Sequence, residues 1–150
     1  MTKKYNEEYF LTQIKNKFDF LFSDYTFNIV YSKMLNYNAY ELLINSSDLF
    51  IEFYFDTFEV WVISTYKYPN EKDRFTLETI KQFFINSNEV EDEYFGLDES
   101  SNFLRSNLKT ILDLYSEEKY SNTKSSLIDV SDKIVRKRFP SLKYKAGSSK

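Results

Sequence analysis

The sequence contains no cysteine and no histidine. Without cysteine there are no disulfides, no thiolate nucleophile and no thiolate zinc site, so the fold requires no oxidising compartment. Without histidine the commonest general base, the commonest metal ligand and the usual pH switch near neutrality all disappear together. Glycine is nearly absent too: Gly96 and Gly147 are the only two. Neither lies in a phosphate-cradling or dinucleotide-binding spacing, which weighs against nucleotide chemistry of those kinds. No stretch approaches the ~18 to 20 apolar residues that span a bilayer, and the first ten residues lack the apolar run of a signal peptide. A cytoplasmic protein with no membrane partner is expected.

What the chain has in quantity is aromatic surface. Fifteen Phe and thirteen Tyr in 150 residues give it a large apolar supply, each ring worth roughly 1.5 to 3 kcal/mol when buried. Apolar residues make up 42% and charged residues 29%, which fits one globular domain, read as residues 1–140 with a mobile basic tail over 141–150. The net charge of −3 conceals an asymmetry. Residues 86–100 hold six acids and no base, whereas residues 124–150 hold eight bases against two acids. That leaves −9 on the first 123 residues.

Periodicity supplies the element order. Phe10, Ile14, Phe18, Leu21 and Phe22 recur at helical spacing behind Asn6, a good N-cap, and predict a helix over 6–23. Period-two patterns from Phe27 and from Tyr40 predict two antiparallel strands around the Asn36-Tyr37-Asn38 turn. Residues 49–56 and 58–65 predict a second hairpin turning at Asp56-Thr57. In that register Phe53 faces Val60 and Ile51 faces Val62. Glu52 and Tyr54 then share the opposite face with Glu59 and Trp61. Thr76 caps a short helix ending near Asn86, Leu104 to Tyr115 mark another, and Leu127 to Phe139 a last one stopped by Pro140, with 116–126 read as a connection. The fold class is α+β: an N-terminal helix, a four-stranded antiparallel sheet made of two hairpins, then about three helices.

Three chemistries remain. Carboxylates are the abundant acid/base groups, but the EF-hand spacing and its glycine are missing, and no metal, cofactor or catalytic residue is expected. The basic run Arg136-Lys137-Arg138 with Lys143 and Lys145 can attract phosphates, which makes a nucleic-acid-associated accessory protein the alternative reading, weighed down by the acidity of the rest. An acidic and aromatic surface fits a protein partner best: Glu52, Tyr54, Glu59 and Trp61 on the sheet, with Glu89, Glu91, Asp92 and Glu93 in the acidic loop. Either that sheet face is open for a partner, or the C-terminal helices cover it and its aromatics are core.

The strand pair from Asp48 to Val62, followed by Phe75-Thr76-Leu77-Glu78-Thr79-Ile80-Lys81-Gln82-Phe83-Phe84 with its Thr76, Leu77, Ile80 and Phe83 pattern, resembles small immunity proteins that protect bacteria from polymorphic or contact-dependent toxins. The resemblance covers about Tyr5 to Ile85. It implies a cytoplasmic, non-enzymatic inhibitor that binds a cognate toxin and identifies no toxin; the acidic surface is what points to a basic one. It assigns no binding residue.

Overall fold

The computed structural model describes residues 5–86, 89–91 and 93–140. The expected tail over 141–150 and the candidate Asp92 lie outside the described residues. At the N-terminus the Asn6 side chain accepts the Tyr9 N–H at 2.8 Å, and α1 (Glu7–Lys17) follows with acids in its first turn and lysines in its last, as the helix dipole favours. The single helix expected over 6–23 is in fact two. Phe18 leaves the helical region (φ −118°, ψ 33°), and α2 (Asp19–Ser23) restarts in a new direction, which lets Phe18, Phe20 and Leu21 all reach the core.

The sheet has five strands in the order of the chain, each antiparallel to its neighbour: β1 (Asn28–Met34), β2 (Tyr40–Ser46), β3 (Leu49–Phe55), β4 (Trp61–Lys67) and β5 (Phe75–Thr76). The fifth strand corrects the expected count of four. It is two residues long, too short to leave any periodic trace in the sequence. Thr76 both ends β5 and caps α3 (Leu77–Ile85), accepting the Thr79 N–H at 3.3 Å. Then come α4 (Leu97–Leu114) and α5 (Tyr120–Arg138). The start of α5 lies inside the stretch read as a connection, because Tyr120, Thr123 and Leu127 bury one face at helical spacing.

One sheet face holds the core. Tyr40, Leu42 and Ile44 of β2, Leu49, Ile51, Phe53 and Phe55 of β3, and Trp61, Ile63 and Thr65 of β4 are all buried. Phe10 of α1 stacks on Tyr40 (4.8 Å between ring centroids) and contacts Phe55 and Trp61, while Phe18 meets Phe53 edge-on. On α4, Leu104, Leu108 and Ile111 are buried, and the hydroxyl of Tyr115 just beyond the helix bonds that of Thr65 at 2.6 Å. The Ser101 hydroxyl donates to the Lys17 carbonyl at 2.6 Å, tying α4 to α1.

The β3–β4 register differs from the expected one. Phe53 pairs with Ile63, Ile51 with Thr65 and Phe55 with Trp61. The turn occupies Asp56 to Val60: the Asp56 carboxylate accepts the N–H groups of Phe58 and Val60 at 2.9 and 3.0 Å, and Glu59 takes a positive φ of 62°. The difference from the expected pairing is three residues, an odd number, so every β4 side chain lies on the face opposite to the one expected. Trp61 therefore leaves the face of Glu52 and Tyr54 and joins Phe10 and Phe55 in the core at 8% exposure. Glu59 belongs to the turn.

Burial of Trp61 has a measurable outcome. Trp61→Ala should cost about 3 to 5 kcal/mol in chemical denaturation. The emission of this sole tryptophan in the native protein should be blue-shifted and resistant to aqueous quenchers.

Candidate partner-binding cleft

Beyond β5 the chain turns directly into α3, which packs against β4. β5 pairs only with Ser64 and Thr65, and at the preceding residues the chain opens into a cleft of about 490 Å³. One wall is Val60, Trp61 and Val62. Thr76, Glu78 and Thr79 at the start of α3 form the second, and Ser131 to Arg138 of α5 the third. Glu91, Glu93 and Tyr94 of the acidic loop close the mouth. The volume lies within the range of ordinary binding sites, and the lining mixes apolar walls with three carboxylates and one arginine.

Gln82 holds the loop in place. It is buried on the inward side of α3, where its side-chain oxygen accepts the Glu91 N–H at 3.0 Å and its amide donates to Glu93 at 3.1 Å. Glu93 is also paired with Lys81 at 3.0 Å. The Glu78 carboxylate accepts the Phe95 N–H at 2.7 Å, and burial raises its pKa above the ordinary glutamate value despite that bond. Between these two anchors the Tyr94 hydroxyl accepts the Trp61 backbone N–H at 3.0 Å. Burial likewise raises the Tyr94 pKa, with Glu78, Asp56 and Glu99 adding negative potential around it.

The eight sequence candidates thus separate. Glu91, Glu93 and the edge of Trp61 meet at the cleft, and Glu59 stands in the turn that begins it. Glu89 faces away, lining a hollow with Lys133, Arg136 and Lys137 of α5. Lys137 donates to the Val90 carbonyl at 2.8 Å, so part of the basic run is spent on positioning the acidic loop. Sequence reasoning missed Gln82, Glu78 and Tyr94. The one available signal was a glutamine on the apolar side of a short helix, a polar group that must find partners once buried. Phe58, 84% exposed at the tip of the turn, was also missed as an anchor.

Glu52 and Tyr54 lie on the other sheet face, where cross-strand partners form rows of mixed chemistry: Lys33, Glu41, Tyr54 and Val62 in one, Tyr31, Leu43, Glu52 and Ser64 in the next. Arg74 reaches over this face, bonding Glu52 at 2.6 Å and lying 4.6 Å from the Tyr66 ring centroid. Glu52 is pushed up to about 7, first by burial and then by the neighbouring Glu41, with Arg74 opposing both. Glu41 is held below the ordinary glutamate value, first by its hydrogen bond with Glu52. The two carboxyls thus interact, with Arg74 the cation that lowers both.

The sign of the linkage follows. Folding takes up a proton between the ordinary value of 4.5 and about 7, so the contribution of Glu52 to stability is largest on the acid side and declines as pH rises through that window. Glu78, also raised by burial, acts in the same direction. Glu52→Gln should therefore make the fall in unfolding free energy across this window shallower, as read from denaturant titrations at a series of pH values. A slope unchanged from the wild type would mean that Glu52 is not raised by folding.

No family model, no curated protein and no solved structure matches this chain, and the functional reading rests on the surface described above.

Proposed function

We propose that the protein is a non-enzymatic binding module, an immunity or antitoxin-like inhibitor that neutralises a basic toxin domain by covering it with the cleft and the β3–β4 turn. The observation that carries this reading is the convergence, at one end of the sheet, of exposed aromatic anchors and carboxylates. Tyr94, 55% exposed, lines the cleft with Glu78 and Glu91 and feels the charge of Asp56, the residue that opens the turn carrying Glu59 and the 84% exposed Phe58. Large exposed rings are poorly explained by folding and are the side chains that dominate protein interfaces. Carboxylates around them attract lysine and arginine at a distance and select against acidic partners. Inhibition by occlusion needs no reacting group, which suits a chain with neither histidine nor cysteine.

The basic end of α5 favours this reading over a nucleic-acid-associated role. Lys137 is bonded to the acidic loop, Lys133 stands 3.9 Å from Asp129, and Arg138 lines the acidic cleft, so these charges lie among carboxylates instead of forming a uniform positive face.

The experiment is to co-express the chain with any basic toxin domain found in its genomic neighbourhood and to measure binding of the purified pair. Phe58→Ala should leave stability within about 0.5 kcal/mol of the wild type, because the ring touches solvent. The same change should weaken the complex by at least roughly ten-fold, or 1.4 kcal/mol. Glu91→Gln should slow association and flatten its salt dependence, since charges at a rim act mainly on encounter. A toxin that binds both variants as it binds the wild type would remove the cleft from the interface.

A further inference from the structure

We propose that the inhibitor holds its partner with two aromatic turn tips, Tyr37 and Phe58, set side by side at one end of the sheet, and that the partner is a folded protein offering an apolar hollow to each ring. This deepens the inhibitor reading and rests on it.

The strand register places the two tips together. Met34, Tyr40, Phe55 and Trp61 pair in one row across β1, β2, β3 and β4, so the turn after β1 and the turn after β3 leave the sheet at the same end. Two strand spacings, roughly 10 Å, separate the hairpins. The turns are also built alike. The Leu35 N–H donates to the Ala39 carbonyl at 2.7 Å and the Asp56 N–H to the Val60 carbonyl at 3.0 Å, each bond enclosing three residues with an aromatic ring in the middle. Among the described residues these rings are the two most exposed large apolar side chains, Tyr37 at 85% and Phe58 at 84%.

The first turn is strained at its ring. Tyr37 has a φ of 61° and Asn38 of 65°, in the left-handed region that asparagine tolerates and a bulky side chain rarely enters. A glycine at 37 would serve the turn better, so the fold gains nothing from a tyrosine that strains its backbone and stands in solvent. Strain held at an exposed position points to binding. The base of both turns is firm, because Tyr40, Phe55 and Trp61 pack on Phe10 and the Asp56 carboxylate accepts two further N–H groups of its own turn. Two rings held at a fixed separation lose little freedom when a partner covers them.

The surrounding charge selects the class of partner. Glu59 stands exposed beside Phe58. Tyr40, whose pKa is raised first by burial, also feels the charge of the exposed Glu7. Carboxylates beside the tips disfavour anionic lipid surfaces and nucleic-acid phosphates, whereas rings seated in pockets are the usual anchors of protein interfaces.

The experiment adds Tyr37→Ala, Tyr37→Gly and Tyr68→Ala to the binding measurement with the neighbouring toxin domain, and unfolds each variant with denaturant. Tyr68 is the control, a ring 62% exposed that follows β4 and so stands at the opposite end of the sheet. Tyr37→Ala should weaken the complex at least roughly ten-fold, and its combination with Phe58→Ala roughly a hundred-fold, because sites this far apart act additively. Tyr68→Ala should bind as the wild type does. Tyr37→Gly should lose affinity as Tyr37→Ala does, yet unfold at a denaturant concentration no lower than the wild type. A toxin domain that binds Tyr37→Ala as tightly as the wild type overturns the two-tip proposal and leaves the inhibitor reading standing. Earlier unfolding of Tyr37→Gly would also overturn it, by assigning the ring to the fold. So would sedimentation of the wild type with phosphatidylcholine vesicles that Phe58→Ala abolishes, which assigns the tips to a lipid surface. If no neighbouring toxin domain binds the wild type, both readings fall together.

Discussion

The carboxylate of Asp56 decides more of this structure than any other single group. By accepting two backbone N–H groups, it closes the turn over Asp56 to Val60 and leaves Glu59 in the left-handed region. Those two hydrogen bonds choose the register of β3 on β4, and a register chooses a face for every residue of the strand. Trp61 opposite Phe55 places the largest side chain of the protein on Phe10, which also stacks on Tyr40. The N-terminal helix is therefore anchored on the sheet through a ring cluster whose membership the turn has fixed. A tighter turn of the kind the sequence suggests would have exposed the indole and left Phe10 without one of its partners.

The same choice distributes the charge. With Trp61, Ile63 and Thr65 inward, the residues left for the outer face of β4 are Val62, Ser64 and Tyr66, none charged, opposite Tyr54, Glu52 and Phe50. Glu52 has no cation beside it on β4 and takes Arg74 from the loop beyond, at 2.6 Å. One guanidinium serves a site that holds two carboxyls: Arg74 lowers both, while burial and Glu41 raise Glu52. The cleft at the end of β4 instead sets Glu78 and Glu91 beside the exposed ring of Tyr94.

Local signals in the sequence were informative where local physics governs. Asn6 and Thr76 cap the helices they were expected to cap, and the alternation along β3 from Leu49 to Phe55 is the observed burial pattern. The failures share one cause. Phe18 breaks a helix although its side chain keeps the helical spacing, because the periodicity of buried residues does not record where the backbone bends. The turn at Asp56 depends on a side chain bonding to its own loop, which is invisible to a count of alternating residues. β5 is too short to be periodic. The cleft joins residues near 61, 78, 93 and 135, and only tertiary packing of α5 against α3 brings them together. Gln82 is the instructive residue: its type on an apolar helix face showed that a buried polar group needed partners, without showing that they would be Glu91 and Glu93.

The absence of histidine gives the charge distribution its meaning. Of the carboxyls that burial raises, Glu52 lies on the outer sheet face and Glu78 lines the cleft. Glu52, pushed up to about 7, is covered by Arg74 on the sheet face, where its ionisation is felt by the fold. At the cleft mouth Glu93 is locked to Lys81 and Gln82, while the Glu91 side chain remains exposed. The basic end of α5 completes this arrangement. Cations at a helix C-terminus are favoured by its dipole, and Lys137 uses that position to hold the Val90 carbonyl and, through it, the acidic loop. The opposite charges that appear in the sequence as two separate tracts thus meet in the fold, with Lys137 of the positive tract bracing the negative one beside the end of β4.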